Sequence, residues 1–283
     1  MSFIHILILA VVQGLAELLP VSSSAHVIMA EKLMGLDPTA PEMTLLLVML
    51  HTGTMFAVIV FFWKTWRSTY FRSAAAFRLN AFYLILATAV TGVIGLTLQA
   101  VIKHLYAGNA ANFEIERLFG DTRVIAAGLA AAGVLIIASS RFGEGERGEI
   151  TTGRAILIGL VQGLCLPFRG FSRSGATIST GLAAGVARKR AEEFSFALAV
   201  LLTPAVVLKE GFRLFDKGVD ATRAAPTAGN MLHLLTPGLL GMVFSFIAGL
   251  AALRWLSRWL EQDRWHLFGG YCLVASLAVL YFG

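Results

Sequence analysis

Charged residues are scarce in this chain of 283 residues, since Asp, Glu, Lys and Arg together make up only 14%. Hydrophobic residues make up 57%, and the mean hydropathy is +0.75. A soluble domain carries about 25% charged residues, so this composition excludes an ordinary soluble protein. The sequence predicts an all-α polytopic membrane protein that forms a single membrane domain.

Cysteine is also rare, because Cys165 and Cys272 are the only two. Both lie in apolar sequence, and neither belongs to a Cys-x-x-Cys or Cys/His ligand pattern. This excludes a disulfide framework and a cysteine-based metal site. We expect both thiols to be buried packing groups.

Long apolar runs, in contrast, are abundant. A helix needs about 20 mostly apolar residues to cross a bilayer core about 30 Å thick. Six runs meet this requirement, and we predict a spanning helix in each: Met43 to Trp63, Ala81 to Ile102, Val124 to Ser140, Glu193 to Lys209, Leu239 to Leu253 and Trp265 to Phe282.

Two further apolar regions, Phe3 to Lys32 and Ala155 to Val186, contain the same motif. Val-Gln-Gly-Leu begins at Val12 and again at Val161, and each copy leads to a proline and a serine cluster. Proline removes a backbone donor and disfavours helix before it, whereas serine is a good helix N-cap. We therefore predict two half-helices in each region that enter the membrane and return on the same side, a re-entrant hairpin. A kinked full-length helix in each region is the alternative.

The two hairpins divide the chain into two repeats, residues 1 to about 140 and about 150 to 283. Each repeat has one hairpin and three spans, so the second repeat starts on the opposite side of the membrane, as in an inverted-topology repeat. Placing the basic connection that contains Lys64, Arg67, Arg72 and Arg78 in the cytoplasm puts 13 of the 23 basic residues inside. This asymmetry explains the net charge of +6, so we expect no nucleic-acid partner.

The first hairpin contains an unusual set of polar side chains. Gln13 and Glu17 are four residues apart and share one helix face. Ser22 is the predicted N-cap, and Ser23, Ser24 and His26 follow it. Hydroxyls, backbone N–H groups and the positive helix end would converge there on an anion. In the alternative, Glu17 snorkels to the membrane interface and the serines only cap the helix.

The second hairpin has an arginine where the first has its middle serine. Arg173 lies between Ser172 and Ser174, and Thr177 lies one turn further on. A guanidinium binds phosphate oxygens through two parallel hydrogen bonds, so the preferred guest is phosphate or pyrophosphate. In the alternative, Arg173 is a structural partner of Glu17. Because only the first hairpin supplies an acid and an imidazole, the unequal copies favour catalysis over simple binding.

Both motifs resemble signatures of a known family. The first is Glu17-Leu-Leu-Pro-Val-Ser-Ser-Ser-Ala-His26, with Gln13 one turn before, and the second is Gly170-Phe-Ser-Arg-Ser-Gly-Ala-Thr177. They are similar to those of the bacterial undecaprenyl-pyrophosphate phosphatase family. The resemblance implies an enzyme of the bacterial inner membrane that removes one phosphate from undecaprenyl pyrophosphate. It would thereby regenerate the lipid carrier for cell-wall synthesis and confer bacitracin resistance.

The resemblance also implies which residues form the site. It assigns catalytic roles to Glu17, Ser23, His26 and Arg173. It assigns substrate binding to Gln13, Ser22, Ser24, Ser172, Ser174 and Thr177. Three features bear on the family pattern. Gln13 stands where the family has Glu or Gln, which weakens a metal site built on two carboxylates, and Phe168 and Arg169 separate Pro167 from Gly170. His51 replaces an expected glutamine and is interpreted as a packing or cavity residue.

The expected reaction is in-line attack on the terminal phosphorus, with Arg173 stabilising the charge of the transition state. Ser23 is the candidate nucleophile, His26 its base or the proton donor to the leaving group, and Glu17 orients the imidazole or helps to hold a cation. Direct attack by His26 or by water is the rival. A divalent cation, Mg²⁺ or Ca²⁺, would bridge the phosphate oxygens.

The expected partners are the polyprenyl pyrophosphate lipid and the bilayer, with the active site open to the periplasm. The oligomeric state is left open, a homodimer included. A transporter or flippase for an anionic polyprenyl lipid is the alternative function, because broken helices in inverted repeats are also typical of transporters.

Overall fold

The computed structural model describes residues 2–36, 41–107, 121–142, 148–168, 170–218 and 228–282. The regular structure in these ranges is entirely helical, as predicted. Ten helices follow one another: α1 (Phe3–Leu18), α2 (Ser23–Leu33), α3 (Pro41–Thr69), α4 (Ala74–Ala107), α5 (Thr122–Ser139), α6 (Thr152–Cys165), α7 (Arg173–Ala183), α8 (Arg188–Gly218), α9 (Ala228–Glu261) and α10 (Trp265–Phe282).

Five helices in the described ranges are long and apolar enough to cross a membrane. They are Met43–Thr69 in α3, Ala74–Leu105 in α4, Thr122–Ser139, Thr236–Glu261 in α9 and Trp265–Phe282. Each contains or closely matches a predicted span, so the chain is a multi-pass membrane protein. The sixth predicted span, Glu193 to Lys209, lies within α8, a helix of 31 residues with Pro204 in its interior. It is not among the five.

Both predicted helix breaks are present. The first occupies residues 19–22, between α1 and α2, and Ser22 adopts a φ of 68°, in the left-handed region that is uncommon for serine. The second lies between α6 and α7 and contains residues 166–168 and 170–172. Its Gly170 has a φ of +98°, and a Cβ there would lie 2.1 Å from the carbonyl oxygen of Ile125. Arg169 lies outside the described residues.

The half-helices are too short to cross a bilayer, since α1 and α6 have 16 and 14 residues and α2 and α7 have 11 each. Helix α1 packs on α9, and α6 packs on α4. The glycine of each motif copy makes this contact close. A Cβ on Gly14 would lie 2.6 Å from Cβ of Ala248, and one on Gly163 would lie 2.7 Å from Cβ of Ile94. The motif glycines therefore serve helix packing.

Substitution of Gly159 by alanine is expected to destabilise the protein by about 1–3 kcal/mol. Its Cβ would lie 2.5 Å from the carbonyl oxygen of Ala87, a backbone atom that cannot rotate away. Gly92→Ala is the matched control, because no atom lies within 4 Å of its added Cβ. Thermal unfolding in detergent can be followed with a thiol-reactive dye, since Cys165 and Cys272 are both buried, as predicted. Equal melting temperatures for the two variants would contradict the packing argument.

Candidate functional site

The two helix breaks meet at a cavity of about 330 Å³. Both motif copies contribute to its wall, and so does α3. The lining residues are Ala16, Glu17, Ser22, Ser23, Ser24, His51, Cys165, Leu166, Phe168, Phe171, Ser172, Arg173 and Ser174. The fold thus brings together residues that are about 150 positions apart in the chain.

The carboxylate of Glu17 accepts hydrogen bonds from three of the predicted site residues. Its Oε2 accepts from Ser23 Oγ at 2.5 Å and from Gln13 Nε2 at 3.2 Å. Its Oε1 accepts from Nη2 of Arg173 at 2.9 Å, so the ion pair that the sequence offered as a structural alternative is formed. The Glu17 side chain is 16% exposed. This places the acid at the wall of the cavity and excludes snorkelling of Glu17 away from it.

Arg173 is the first residue of α7, and its two terminal guanidinium nitrogens differ in their contacts. Its Nη2 donates to Glu17, whereas its Nη1 is buried and has no hydrogen-bond partner in the described part of the chain. A buried donor without a partner costs about 1–3 kcal/mol. Because the side chain lines the cavity, an anionic guest would satisfy this donor. The guanidinium can therefore contact Glu17 and a phosphate oxygen at the same time.

The two serine clusters have the same local geometry. Ser22 and Ser24 hydroxyls lie 3.3 Å apart, and Ser172 and Ser174 hydroxyls lie 3.5 Å apart. Ser174 also donates to the carbonyl oxygen of Leu19 at 3.4 Å, which links the two breaks directly. Helices α2 and α7 begin at these clusters, so the positive ends of both helices lie at the cavity. This arrangement favours an anion.

The hydrogen-bond partners of the His26 imidazole differ from those predicted from the sequence. Its Nδ1 lies 2.8 Å from the carbonyl oxygen of Ser22, and its Nε2 lies 2.7 Å from the hydroxyl of Tyr271 on α10. The carbonyl can only accept, so Nδ1 carries the proton and Nε2 of the neutral ring accepts from Tyr271. The expected pair of Ser23 with His26 is not formed, because the ring points back along α2 and outward to α10. Glu17 does not orient this imidazole.

Two residues expected to bind substrate lie behind the cavity wall. Gln13 is 1% exposed and bonds Glu17. Thr177 is also 1% exposed, and its hydroxyl lies 2.6 Å from that of Ser195 and donates to the carbonyl oxygen of Arg173 at 2.8 Å. Both support residues that line the cavity. Gln162, the counterpart of Gln13, donates instead to Thr91 on α4, away from the cavity.

Several residues of the site were not predicted from the sequence. Tyr271 stacks on the His26 ring at 5.7 Å between centroids, but one tyrosine in an apolar helix gives no sequence signal. His51, which departs from the family pattern and is interpreted from the sequence as a packing or cavity residue, lies in the cavity wall. The wall formed by Leu166, Phe168 and Phe171 suits an apolar lipid tail next to a polar head group. The sequence feature that could have indicated these three residues is their position in the second break, close to Pro167.

In the described part of the cavity wall, side chains that could bind a metal ion are few. Among the described residues, no group of three or more His, Cys, Asp or Glu side chains is close enough to hold one. Glu17 is the one carboxylate among the described residues of the wall, and both its oxygens already accept hydrogen bonds. Gln13, with its amide, stands where a second carboxylate would help. A cation could thus be held here only if the guest supplied most of its oxygen ligands.

The geometry agrees with the comparison to known protein families. The family model of the bacitracin resistance protein BacA matches residues 6–278, which include every residue of the cavity wall and Tyr271. The chain belongs to this family. The chain is similar to undecaprenyl-diphosphatase 2 of Acinetobacter baylyi, with 62% identity over 280 residues, 99% of this chain and 98% of the relative. Undecaprenyl-diphosphatase 1 of Burkholderia pseudomallei is 34% identical over 295 residues, 99% and 96% of the two chains. The undecaprenyl-diphosphatase of Korarchaeum cryptofilum is 31% identical over 298 residues, 99% of each chain.

Proposed function

We propose that the chain is a phosphatase that hydrolyses undecaprenyl pyrophosphate to undecaprenyl phosphate and inorganic phosphate. The observation that carries this function is the hydrogen bond of 2.5 Å from Ser23 Oγ to Glu17, next to an arginine with an unpartnered nitrogen. It combines a nucleophile, a base and a phosphate-binding cation in one cavity. The names of the relatives agree with it. The reaction recycles the lipid carrier of peptidoglycan synthesis in the bacterial inner membrane, and bacitracin resistance follows from it.

The geometry supports Ser23 as the nucleophile and Glu17 as its base. Ser23 Oγ attacks the terminal phosphorus as its proton passes to Oε2 of Glu17. The bond from phosphorus to the bridging oxygen breaks, and undecaprenyl phosphate leaves with that oxygen. Water then attacks the phosphoserine, and the bond from phosphorus to Ser23 Oγ breaks. Glu17 returns its proton to that oxygen, and the phosphate leaves with the oxygen and both hydrogens of the water. Arg173 and the N-termini of α2 and α7 stabilise the charge on the phosphate oxygens in both steps.

His26 is a less suitable nucleophile than Ser23 in this geometry. Both its ring nitrogens are already hydrogen-bonded, to Ser22 and to Tyr271. Attack by the ring would require the bond to Tyr271 to break. Direct attack by water, activated by Glu17, is the remaining rival to the phosphoserine route.

A divalent cation, Mg²⁺ or Ca²⁺, would be held mainly by the pyrophosphate oxygens, with Glu17 as its protein ligand. Magnesium commonly binds through substrate phosphates with one or two carboxylates, and Glu17 is the carboxylate available here. The cation would supply positive charge that neutralises part of the phosphate charge. The substrate therefore supplies most of the binding site of the cation.

The proposed architecture has six spans and two re-entrant hairpins in an inverted-topology repeat. Its support is the symmetry of the helix pairs: α1 packs on α9 as α6 packs on α4, and α3 pairs with α8 as α5 pairs with α10. If α1 to α5 are exchanged in order with α6 to α10, the α1–α9 contact becomes the α6–α4 contact. The α3–α8 and α5–α10 contacts each map onto themselves. With the basic connections in the cytoplasm, the first hairpin enters from the periplasm, and the cavity opens there to the lipid head group.

Phosphate release from a polyprenyl pyrophosphate by the purified chain in detergent tests this function. We expect release of one phosphate per lipid with Mg²⁺ or Ca²⁺ present, and its loss when a chelator removes the cation. Binding of the lipid by a folded sample without phosphate release would favour a carrier instead. The same preparation, unfolded by heating above its melting temperature, is the negative control for phosphate release.

A further inference from the structure

A second cavity, of about 390 Å³, lies near the C-terminal end of α9. It shares no described residue with the cavity at the two helix breaks, and the proposed mechanism uses none of its residues. Its described wall consists of two adjacent rows along one face of α9, with steps of three or four residues. We name it the α9 groove, and its lining residues are Ala251, Arg254, Trp255, Arg258, Trp259 and Gln262.

The α9 groove has two positive charges that form no ion pair in the described part of the chain. Arg254 and Arg258 are both exposed, and neither guanidinium has a hydrogen-bond partner among the described residues. The next two acids along the chain, Glu261 and Asp263, form ion pairs with basic side chains of α8 instead. Since the described wall also contains no carboxylate, the groove favours an anion.

Two tryptophans form the aromatic wall of the α9 groove beside the arginines. The rings of Trp255 and Trp259 lie 5.0 Å apart between centroids, and Trp259 packs on Phe268 of α10 at 5.1 Å. The Trp255 side chain is still 42% exposed. Tryptophan is enriched at the level of lipid head groups, where its ring contacts hydrocarbon and its N–H can donate to a polar group. The pair therefore fits the boundary between an acyl chain and a head group.

An apolar stripe continues from the α9 groove along the same face of the helix. It contains Leu240, Val243, Ile247 and Ala251, at steps of three or four residues that lead on to Arg254. Val243 and Ile247 are 50% and 57% exposed, so the stripe points away from the described helices. From Leu240 to Ala251 the helix rises roughly 17 Å, about half the thickness of a bilayer core. This is the extent of one leaflet of hydrocarbon.

The length of α9 brings the arginines close to the lipid head groups. Its apolar segment Thr236–Glu261 has 26 residues and is roughly 39 Å long, which exceeds a bilayer core of about 30 Å. The last residues of the segment therefore reach the head-group region, and Arg258 is three residues from its end. Arg254 lies one turn deeper, and its long side chain can extend towards the same level.

We infer that the α9 groove binds an anionic glycerophospholipid. Its phosphate lies between Arg254 and Arg258, whose guanidinium groups are neighbours on the helix surface and can both donate to the phosphate oxygens. One acyl chain follows the apolar stripe. The choice of a glycerophospholipid over a polyprenyl phosphate rests on the stripe, whose length matches an acyl chain within one leaflet. The inference concerns a surface separate from the catalytic cavity, so it does not depend on the proposed phosphatase function.

Native mass spectrometry of the purified chain in detergent tests this inference. We expect dioleoylphosphatidylglycerol to bind the wild type at least about 10-fold more tightly than zwitterionic dioleoylphosphatidylcholine. Arg254→Gln and Arg258→Gln should each weaken binding of the anionic lipid about 5-fold, and the double variant about 25-fold, because each basic residue contributes about that factor near an anionic surface. Arg123→Gln/Arg141→Gln is the matched control, since it removes the same charge from exposed positions near the two ends of α5.

Quenching of tryptophan fluorescence by brominated phosphatidylglycerol locates the bound lipid. The quenching that this lipid produces beyond that of brominated phosphatidylcholine should decrease in Trp255→Phe, because Trp255 lines the groove. It should also decrease in the Arg254→Gln/Arg258→Gln variant and stay unchanged in the α5 control.

Three results would overturn the inference. The first is a wild-type chain that binds the anionic and zwitterionic lipids equally. The second is a preference for the anionic lipid that the double variant retains while it melts as the wild type does; if the double variant unfolds, the two single variants decide in the same way. The third is a polyprenyl phosphate that displaces phosphatidylglycerol from the wild type at lower concentration, which would make the groove a site for the polyprenyl lipid.

Discussion

Replacement of Ser23 by alanine is expected to lower the rate of phosphate release by at least about 10³-fold, equivalent to about 4 kcal/mol of transition-state stabilisation. The variant loses the hydroxyl that donates to Glu17 at 2.5 Å, and with it the nucleophile. A single-turnover reaction quenched in acid should contain phosphoserine in the wild type and none in the variant. Radiolabelled terminal phosphate makes the intermediate visible on a gel.

Ser24→Ala is the matched control for this substitution. Its hydroxyl lies 3.3 Å from that of Ser22 and takes no part in the bond to Glu17, so we expect a loss of about 10-fold or less. If Ser23→Ala keeps more than about a tenth of the wild-type rate and no phosphoserine forms, water is the nucleophile. Glu17 would then be its base.

Glu17→Gln and Arg173→Ala are each expected to lose about 10³-fold in kcat/KM, and the double variant should be no slower than the slower single variant. The two side chains form one unit, joined at 2.9 Å, so the second loss removes little that the first has left intact. Removal of Arg173 also leaves a buried carboxylate unpaired, which costs stability. Arg173→Lys keeps the charge and should still lose activity, because lysine lacks the planar fork.

Gln162→Ala tests whether the two motif copies are unequal. Gln162 bonds Thr91 on α4 and lies outside the cavity wall, so the loss of activity should stay within about 10-fold. Melting temperatures of all variants separate lost chemistry from lost structure. Equal losses at Glu17, Arg173 and Gln162 would argue against unequal roles, and additive losses at Glu17 and Arg173 would show that they act independently.

The spans and the helix breaks were predictable because they depend on local properties of the sequence. Length and hydropathy identify Trp265–Phe282 without any knowledge of its neighbours, and Pro20 with the following serines marks the first break. The length of α3 was underestimated, since hydropathy indicates the part of a helix that lies in the bilayer. Helix α3 begins at Pro41 and ends at Thr69, beyond both ends of that part.

The composition of the site was also largely predictable, whereas its hydrogen-bond pairs were not. Glu17, Ser23 and Arg173 stand out because polar groups are costly in apolar helices. The choice of Glu17 over His26 as the partner of Ser23 depends on the orientation of one ring. That orientation is set by Tyr271, 245 residues further along the chain. Such a contact depends on how α10 packs, which no local pattern contains.

The ion pair between Glu17 and Arg173 also bears on biosynthesis, because its two members are 156 residues apart. At about 5–20 residues per second, a ribosome takes roughly 8–30 s to make the intervening chain. During that interval the first hairpin has a carboxylate that lacks its guanidinium partner. The donors to Glu17 within its own hairpin are Ser23 and Gln13. The ion pair of the cavity can therefore form only after the second hairpin has been synthesised.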